Sequence, residues 1–335
     1  MVRDVIILPR HLCSSIAVLR LFSAVCLLLA TFSAQAEVKL LTSIKPLQLI
    51  AAAVQQGVGT PDVLLPPGAS PHNYALRPSD VRRVREADLL YWVGADMEAF
   101  LPRVLAGRDK ASVAVQDLPG MSLRHFGEGS GQAAADHDHD HDHDHDAAPA
   151  DAADEHDHNH RPGSLDAHLW LLPANARVIA QRMAADLAQA DPANAARYQA
   201  NAEAFATRLD ALDQRLHSQL QALHGKPYFV FHEAYDYFES AYDIKHAGVF
   251  SVLGEVQPGA QHVAAMRERL QAVGPTCVFS EPPLRPRLAE TLTAGLPVKL
   301  AELDAMGSAA KMDERGYEAM LSTLASELTG CLNSL

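Results

Sequence analysis

Between Asp136 and His160 the chain has a composition from which nothing can be folded. Asp and His alternate from Asp136 to Asp146, and His156, His158 and His160 follow; the stretch holds ten acids, eight histidines and no Lys or Arg. It offers no apolar surface for a core, so any fold must carry residues 136–160 outside as an exposed, disordered insertion. The remainder has ample material: 48% of the 335 residues are hydrophobic and 21% are charged, a balance that excludes both an intrinsically disordered chain and a polytopic membrane protein. The formal net charge of −13 comes largely from the insertion. The folded body is therefore only mildly acidic, and no basic run offers a grip on nucleic acid or anionic lipid.

The first residues read as a targeting signal. Arg3, Arg10 and Arg20 give a basic start, Leu21 to Ala30 is almost wholly apolar, and Ala34-Gln35-Ala36 precedes Glu37 as a small-x-small cleavage site. This pattern predicts a secretory signal peptide over 1–36, cut after Ala36, and a periplasmic destination. A membrane anchor is the competing reading, but the charge-free stretch of 16 residues falls short of the roughly 20 a spanning helix needs. Cleavage removes Cys13 and Cys26 and leaves Cys277 and Cys331. In an oxidising compartment two thiols imply one disulfide, the alternative being two buried free thiols.

Beyond the signal, short β-rich runs alternate with helical stretches. Strands are expected at 38–42, 62–65 and 89–93, and helices at 46–54 and 79–87, with Ser79 as an N-cap. After the insertion, 174–190 is helical, and 194–223 runs on without Gly or Pro, long enough for a rod of about 45 Å. Strands at 228–231, 249–252, 276–280 and 298–300 then alternate with helices at 235–242, 259–273, 285–294 and 317–332. Alternation of this kind predicts an α/β fold with mostly parallel sheets. The boundaries suggest a first lobe over 37–190, a linking helix over 191–224 that joins two lobes or lies along one sheet, and a second lobe over 225–335. Ligands of such sheets bind beyond the carboxyl ends of the strands, so two facing lobes predict a cleft between them.

Catalytic signatures are missing: there is no G-x-S-x-G elbow, no phosphate-binding loop and no dinucleotide fingerprint. His232-Glu233-Ala234-Tyr235-Asp236 begins like a zinc-protease helix but has Asp at its fifth position. Three histidines stand out by context. His72 follows the rigid turn Pro66-Pro67-Gly68-Ala69-Ser70-Pro71, His168 lies at the re-entry from the insertion, and His232 follows the apolar strand Tyr228-Phe229-Val230-Phe231. Each is expected at the end of an element on the ligand-binding side. No local spacing links them, and three unrelated polar loop residues are the alternative. His125, His217, His224, His246 and His262 have weaker contexts.

The motifs Gly68-Ala69-Ser70-Pro71-His72-Asn73-Tyr74, Asp166-Ala167-His168-Leu169-Trp170 and Phe229-Val230-Phe231-His232-Glu233-Ala234-Tyr235 resemble those of the zinc-specific periplasmic solute-binding proteins of ABC uptake systems (ZnuA type). Arg77-Pro78-Ser79-Asp80, Gln257-Pro258-Gly259-Ala260-Gln261 and Cys277-Val278-Phe279-Ser280-Glu281-Pro282 extend the likeness. It covers essentially the whole mature chain, and a His- and Asp-rich insertion is itself a mark of the zinc branch. The resemblance implies two α/β lobes bridged by a rigid helix, with one Zn²⁺ in the cleft held by His72, His168 and His232. It also implies a Cys277–Cys331 pair, no enzymatic activity, and a monomer that delivers zinc to an inner-membrane ABC permease. Some relatives have Glu immediately before the first histidine where this chain has Pro71, which leaves the fourth ligand to water, an insertion histidine, Glu281 or Asp304.

Three neutral imidazoles suit Zn²⁺ on chemical grounds as well, with Cu²⁺ and Ni²⁺ as competitors, whereas Mn²⁺ would recruit more carboxylate. A manganese or iron carrier, a secreted zinc hydrolase with Glu233 as base, and a zinc buffer without a permease are the competing readings. Histidine ligation further predicts that affinity falls as pH drops through about 6.5.

Overall fold

Why these segments form sheets buried on both faces is plain from their composition. Leu89-Leu90-Tyr91-Trp92 and Tyr228-Phe229-Val230-Phe231 have no polar alternation, and every one of these residues is buried, as strands covered by helices on both sides must be. The computed structural model describes residues 37–127, 163–251, 260–282 and 287–335. The signal segment and the insertion expected at 136–160 lie outside the described residues. From Val38 to Leu335 the chain forms one compact unit.

The first sheet contains β1 (Leu40–Thr42), β2 (Asp62–Val63), β3 (Leu89–Trp92) and β4 (Ala111–Ala114), all parallel in the order β2-β1-β3-β4. Between them run α1 (Lys45–Val54), α2 (Pro78–Glu86) and the single turn α3 (Pro102–Leu105). The second sheet repeats the pattern with β5 (Tyr228–His232), β6 (Gly248–Ser251), β7 (Thr276–Ser280) and β8 (Val298–Glu302), parallel in the order β6-β5-β7-β8. Its helices are α6 (Asp236–Ala241), α7 (Ala260–Val273) and α8 (Arg287–Thr293). Two long helices, α4 (Pro173–Ala190) and α5 (Ala195–Leu220), join the halves, and α9 (Gly316–Leu332) closes the chain.

Helix α2 starts one residue earlier than the sequence suggests. Its N-cap is Arg77 rather than Ser79, with Pro78 in the first turn and the Asp80 carboxylate accepting the Arg77 backbone N–H at 3.0 Å. Proline favours that position because its missing N–H would have no helical partner there.

Helix α5 is shorter than the expected rod. It is α-helical over 26 residues, about 39 Å at 1.5 Å per residue, and its ends tighten into 3₁₀ turns at Pro192–Asn194 and Gln221–Leu223. Its buried side chains, Tyr198, Phe205, Leu209, Leu212, Leu216 and Leu220 among them, recur at three- and four-residue intervals and form one apolar stripe. That stripe packs on α4, α1 and α9. Asn201 donates to the carbonyls of Val54 and Gln56 at the end of α1, both at 2.9 Å. Seven residues on, Arg208 bonds Glu318 of α9 at 2.6 Å and the Glu314 carbonyl at 2.7 Å. One helix thus grips elements from both halves.

Direct contact between α1 and α9 completes this frame. A side chain at Gly316 would meet Leu49 of α1 at 2.7 Å and the Lys311 carbonyl at 2.2 Å, so glycine there lets α9 begin against α1. The core runs continuously from the first sheet through α1, α4, α5 and α9 to Tyr228 and Phe279 of the second. A smaller cluster packs Met266 and Leu270 of α7 against Phe229 of β5 and Phe250 of β6.

Cys277, on β7, is disulfide-bonded to Cys331 near the end of α9, across 54 residues. Closing a loop of that length contributes about 4 kcal/mol by the chain-entropy relation. The Cys277→Ala/Cys331→Ala variant is expected to lose stability of that order in guanidinium unfolding, and reductant should lower the unfolding midpoint of the wild type but not of the variant.

Candidate metal centre

Three segments distant in the chain end at one place. After β2 the backbone turns at Gly68, whose φ of +77° only glycine adopts without strain. It then reaches His72, whose N–H donates to Ser70 Oγ at 3.2 Å. His168 immediately precedes a 3₁₀ turn, Leu169–Leu171, and His232 is the last residue of β5. The ring centroids are 5.5 Å apart for His72 and His168, 5.4 Å for His72 and His232, and 4.9 Å for His168 and His232. One nitrogen from each lies within 4.8 Å of the other two. They line a cavity of about 260 Å³ together with Trp170, Phe231 and Glu281. It sits at the carboxyl-terminal ends of the strands, where open parallel sheets bind ligands.

Carboxylates stand behind two of the rings. The Asp166 carboxylate lies 2.8 Å from His168 Nδ1 and also accepts the His168 backbone N–H at 3.0 Å. Glu281 lies 3.1 Å from His232 Nδ1, and the sheet register explains why. Val230 pairs with Phe279 across β5 and β7, so two residues further along His232 comes level with Glu281. The Tyr235 hydroxyl donates to the Leu303 carbonyl at 2.7 Å and contacts Glu281 at 3.2 Å. A carboxylate on Nδ1 fixes tautomer and ring orientation and makes the other nitrogen a better donor, so Nε2 is the atom through which His168 and His232 would coordinate.

Burial holds His72 and His168 well below the usual imidazole pKa of 6.5, and the neighbouring imidazoles add to the effect. Burial acts most strongly on His232 and in the same direction, but the carboxylates of Glu281, Asp166 and Glu233 together outweigh it and leave His232 above 6.5. Burial also pushes Asp166 up to about 7.

Of the residues proposed for a fourth position, Glu281 stands in the cavity wall. Asp304 is committed to its own loop, accepting the Met306 and Ser308 N–H groups and the Ser308 hydroxyl. Glu233 does not line the cavity. Asp166 carried a local signal, two residues before His168, that the sequence reading did not use. Nothing in the sequence announced the Glu281–His232 contact, which depends on strand register.

The profile of the family described as "ZnuA: Zinc-uptake complex component A periplasmic" matches residues 40–331. The chain belongs to the ZnuA family. It is 38% identical over 308 residues to the high-affinity zinc uptake system protein ZnuA of Yersinia pestis, covering 91% of this chain and 95% of the relative. To the ZnuA of Brucella suis it is 36% identical over 302 residues, covering 87% and 90%. Among solved structures, a crystal structure of ZnuA superposes with a TM-score of 0.70 at 21% identity, covering 88% of this chain and 98% of that one. A zinc-bound ZnuA lacking residues 138–173 of its own numbering gives 0.68 at 22%, covering 88% and 97%. At those identities the structural likeness establishes the ZnuA fold, two parallel α/β sheets flanked by helices.

Two outcomes are expected. Asp166→Asn leaves the His168 ligand atom in place but weakens its support, and should lower metal affinity about 10- to 100-fold in a competition titration. Acid should weaken binding in steps. His232, the one of these three imidazoles held above 6.5, is protonated first, so the loss begins above pH 6.5 with a slope of one proton per metal, and His72 and His168 contribute only at lower pH. Affinity unchanged down to about pH 5 would contradict imidazole ligation.

Proposed function

We propose that the mature chain captures Zn²⁺ in the periplasm and delivers it to an inner-membrane ABC permease. The observation that carries this reading is the convergence of His72, His168 and His232, from both halves of the molecule, on one point in a cavity. Membership of the ZnuA family and relatives named as high-affinity zinc uptake proteins support it.

In this reading the three imidazoles hold the cargo ion, with Zn–N distances of about 2.0–2.1 Å and a fourth position left to water or to Glu281. Three nitrogen donors favour zinc over manganese. An ion to be handed on needs ligands that can release it, and protonation of His232 or its return to Glu281 provides a route for release. The chain acts as a monomeric carrier and not an enzyme: Glu233, the one base the sequence offered a hydrolase, stands outside the cavity. Residues 1–36 serve as the cleaved signal, 37–190 and 225–335 form the lobes, and 191–224 links them. The histidines of 136–160 act as weak tethered sites that raise the local zinc concentration near the cleft.

Calorimetric titration of the mature chain tests this directly. One tight zinc site is expected in the wild type and in a chain lacking residues 136–160, and none in His72→Ala/His232→Ala. The double variant should also fail to restore growth under zinc limitation to cells lacking their own carrier. Tight binding that survives the double substitution, or disappears with the insertion, would overturn the assignment.

A further inference from the structure

Past the three-histidine cavity the chain makes a second convergence of metal-binding side chains. Helix α6 ends at Ala241, and Asp243 follows with a φ of +51°, the one non-glycine residue in the left-handed region among the described residues. That turn sends the chain back along the helix. The Ile244 N–H bonds the Glu239 carbonyl at 3.1 Å, and His246 Nδ1 comes to 2.9 and 3.0 Å from the two Glu239 carboxylate oxygens. Glu239 is 2% exposed and is held from the other side by the Tyr228 hydroxyl at 2.6 Å. Asp236, one turn earlier on the same helix face, brings a second carboxylate, and one donor atom each from Asp236, Glu239 and His246 lies within 4.8 Å of the others.

An ion pair explains His246 and Glu239 but not Asp236. The Asp236 carboxylate is half-buried and accepts no hydrogen bond from any described residue, while Glu239, Asp166 and Glu233 all repel its charge. Around this point four carboxyls, those of Asp166, Glu233, Asp236 and Glu239, face three positive partners, His246, Arg124 and His232, of which His246 and Arg124 act on Asp236. Buried negative charge in that excess calls for protons or a cation, and burial and Glu239 push Asp236 up to about 6.

We propose that Asp236, Glu239 and His246 form a second site for a divalent first-row metal ion, separate from the three-histidine cavity. The donor set is one imidazole and two carboxylates, which accepts both Zn²⁺ and Mn²⁺. With bonds of 2.0–2.1 Å, neighbouring ligands of a tetrahedral ion lie about 3.3 Å apart, so the 2.9 Å between His246 Nδ1 and Glu239 needs to open only slightly. Asp236 and His246 are each half-buried, giving the ion a way in from solvent. None of the three lines the first cavity. An ion here would tie α6 to the loop that leads into β6.

The test uses the full mature chain carrying His72→Ala and His232→Ala, so that the proposed cargo site is absent. Metal bound by the folded body raises the melting temperature, whereas metal on a tethered segment that is equally available in the unfolded chain does not. Zn²⁺ and Mn²⁺, added separately, are each expected to raise the melting temperature of this background, and Asp236→Asn should abolish the rise. Asp236→Asn breaks no hydrogen bond among the described residues, and an unchanged far-UV circular dichroism spectrum checks its fold. His246→Gln is the second variant and should give the same loss. No rise in the background, or a rise that both substitutions leave intact, would overturn the second site. Tight zinc binding that persists in the background and also survives Asp236→Asn and His246→Gln would instead count against the three-histidine assignment.

Discussion

Three imidazoles whose centroids lie within 5.5 Å of one another cannot all carry charge. At an effective dielectric constant near 20, each pair of unit charges at such a separation costs about 3 kcal/mol, and three pairs together approach the whole stability of a typical domain. The fold therefore has to hold at least two of them neutral, and burial of His72 and His168 does so. A neutral imidazole is also what a metal ion requires. The same crowding that makes the apo cluster unfavourable to protons makes it ready for a divalent cation. Glu281 sets His232 apart as the one member that takes a proton easily, which makes it the natural point at which acid competes with metal.

Keeping three rings this close requires a scaffold that does not relax, and the re-entry segment from Asp166 to Trp170 is where it is fastened. The Tyr237 hydroxyl donates to the Asp166 carbonyl at 2.9 Å, the Trp170 indole to the Ala305 carbonyl at 2.9 Å, and the Tyr317 hydroxyl to the Trp170 carbonyl at 2.6 Å. Each donor or acceptor on the far side belongs to the second half of the chain. Helices α1, α5 and α9 lock the same halves together through Asn201, Arg208 and the close approach at Gly316. A frame tied at so many buried points opposes large separation of the two sheets.

Much of this was legible in the sequence because burial on both faces leaves an unmistakable signature. The runs that became β3, β5 and β7 are apolar at their centres and buried along their whole length, and their limits were close to those observed. Strand β4 was not, because Ala111–Ala114 is short, carries one large apolar residue and has two exposed positions. The histidine trio was readable only from the position of each residue at the end of an element and from family motifs, since 96 and 64 residues separate the three along the chain. His246 looked like an ordinary loop histidine near a strand edge. Its partner Glu239 is seven residues away, and only the left-handed turn at Asp243 brings the two together, a conformation that the residue type does not announce.

The central claim is that one metal ion sits equidistant from His72, His168 and His232. Anomalous diffraction at the zinc edge, from crystals of the mature chain grown with one equivalent of zinc, tests it most directly. The expected result is a dominant peak about 2.0–2.1 Å from one nitrogen of each ring. A dominant peak elsewhere, or one with fewer than three of these imidazoles around it, would contradict the account.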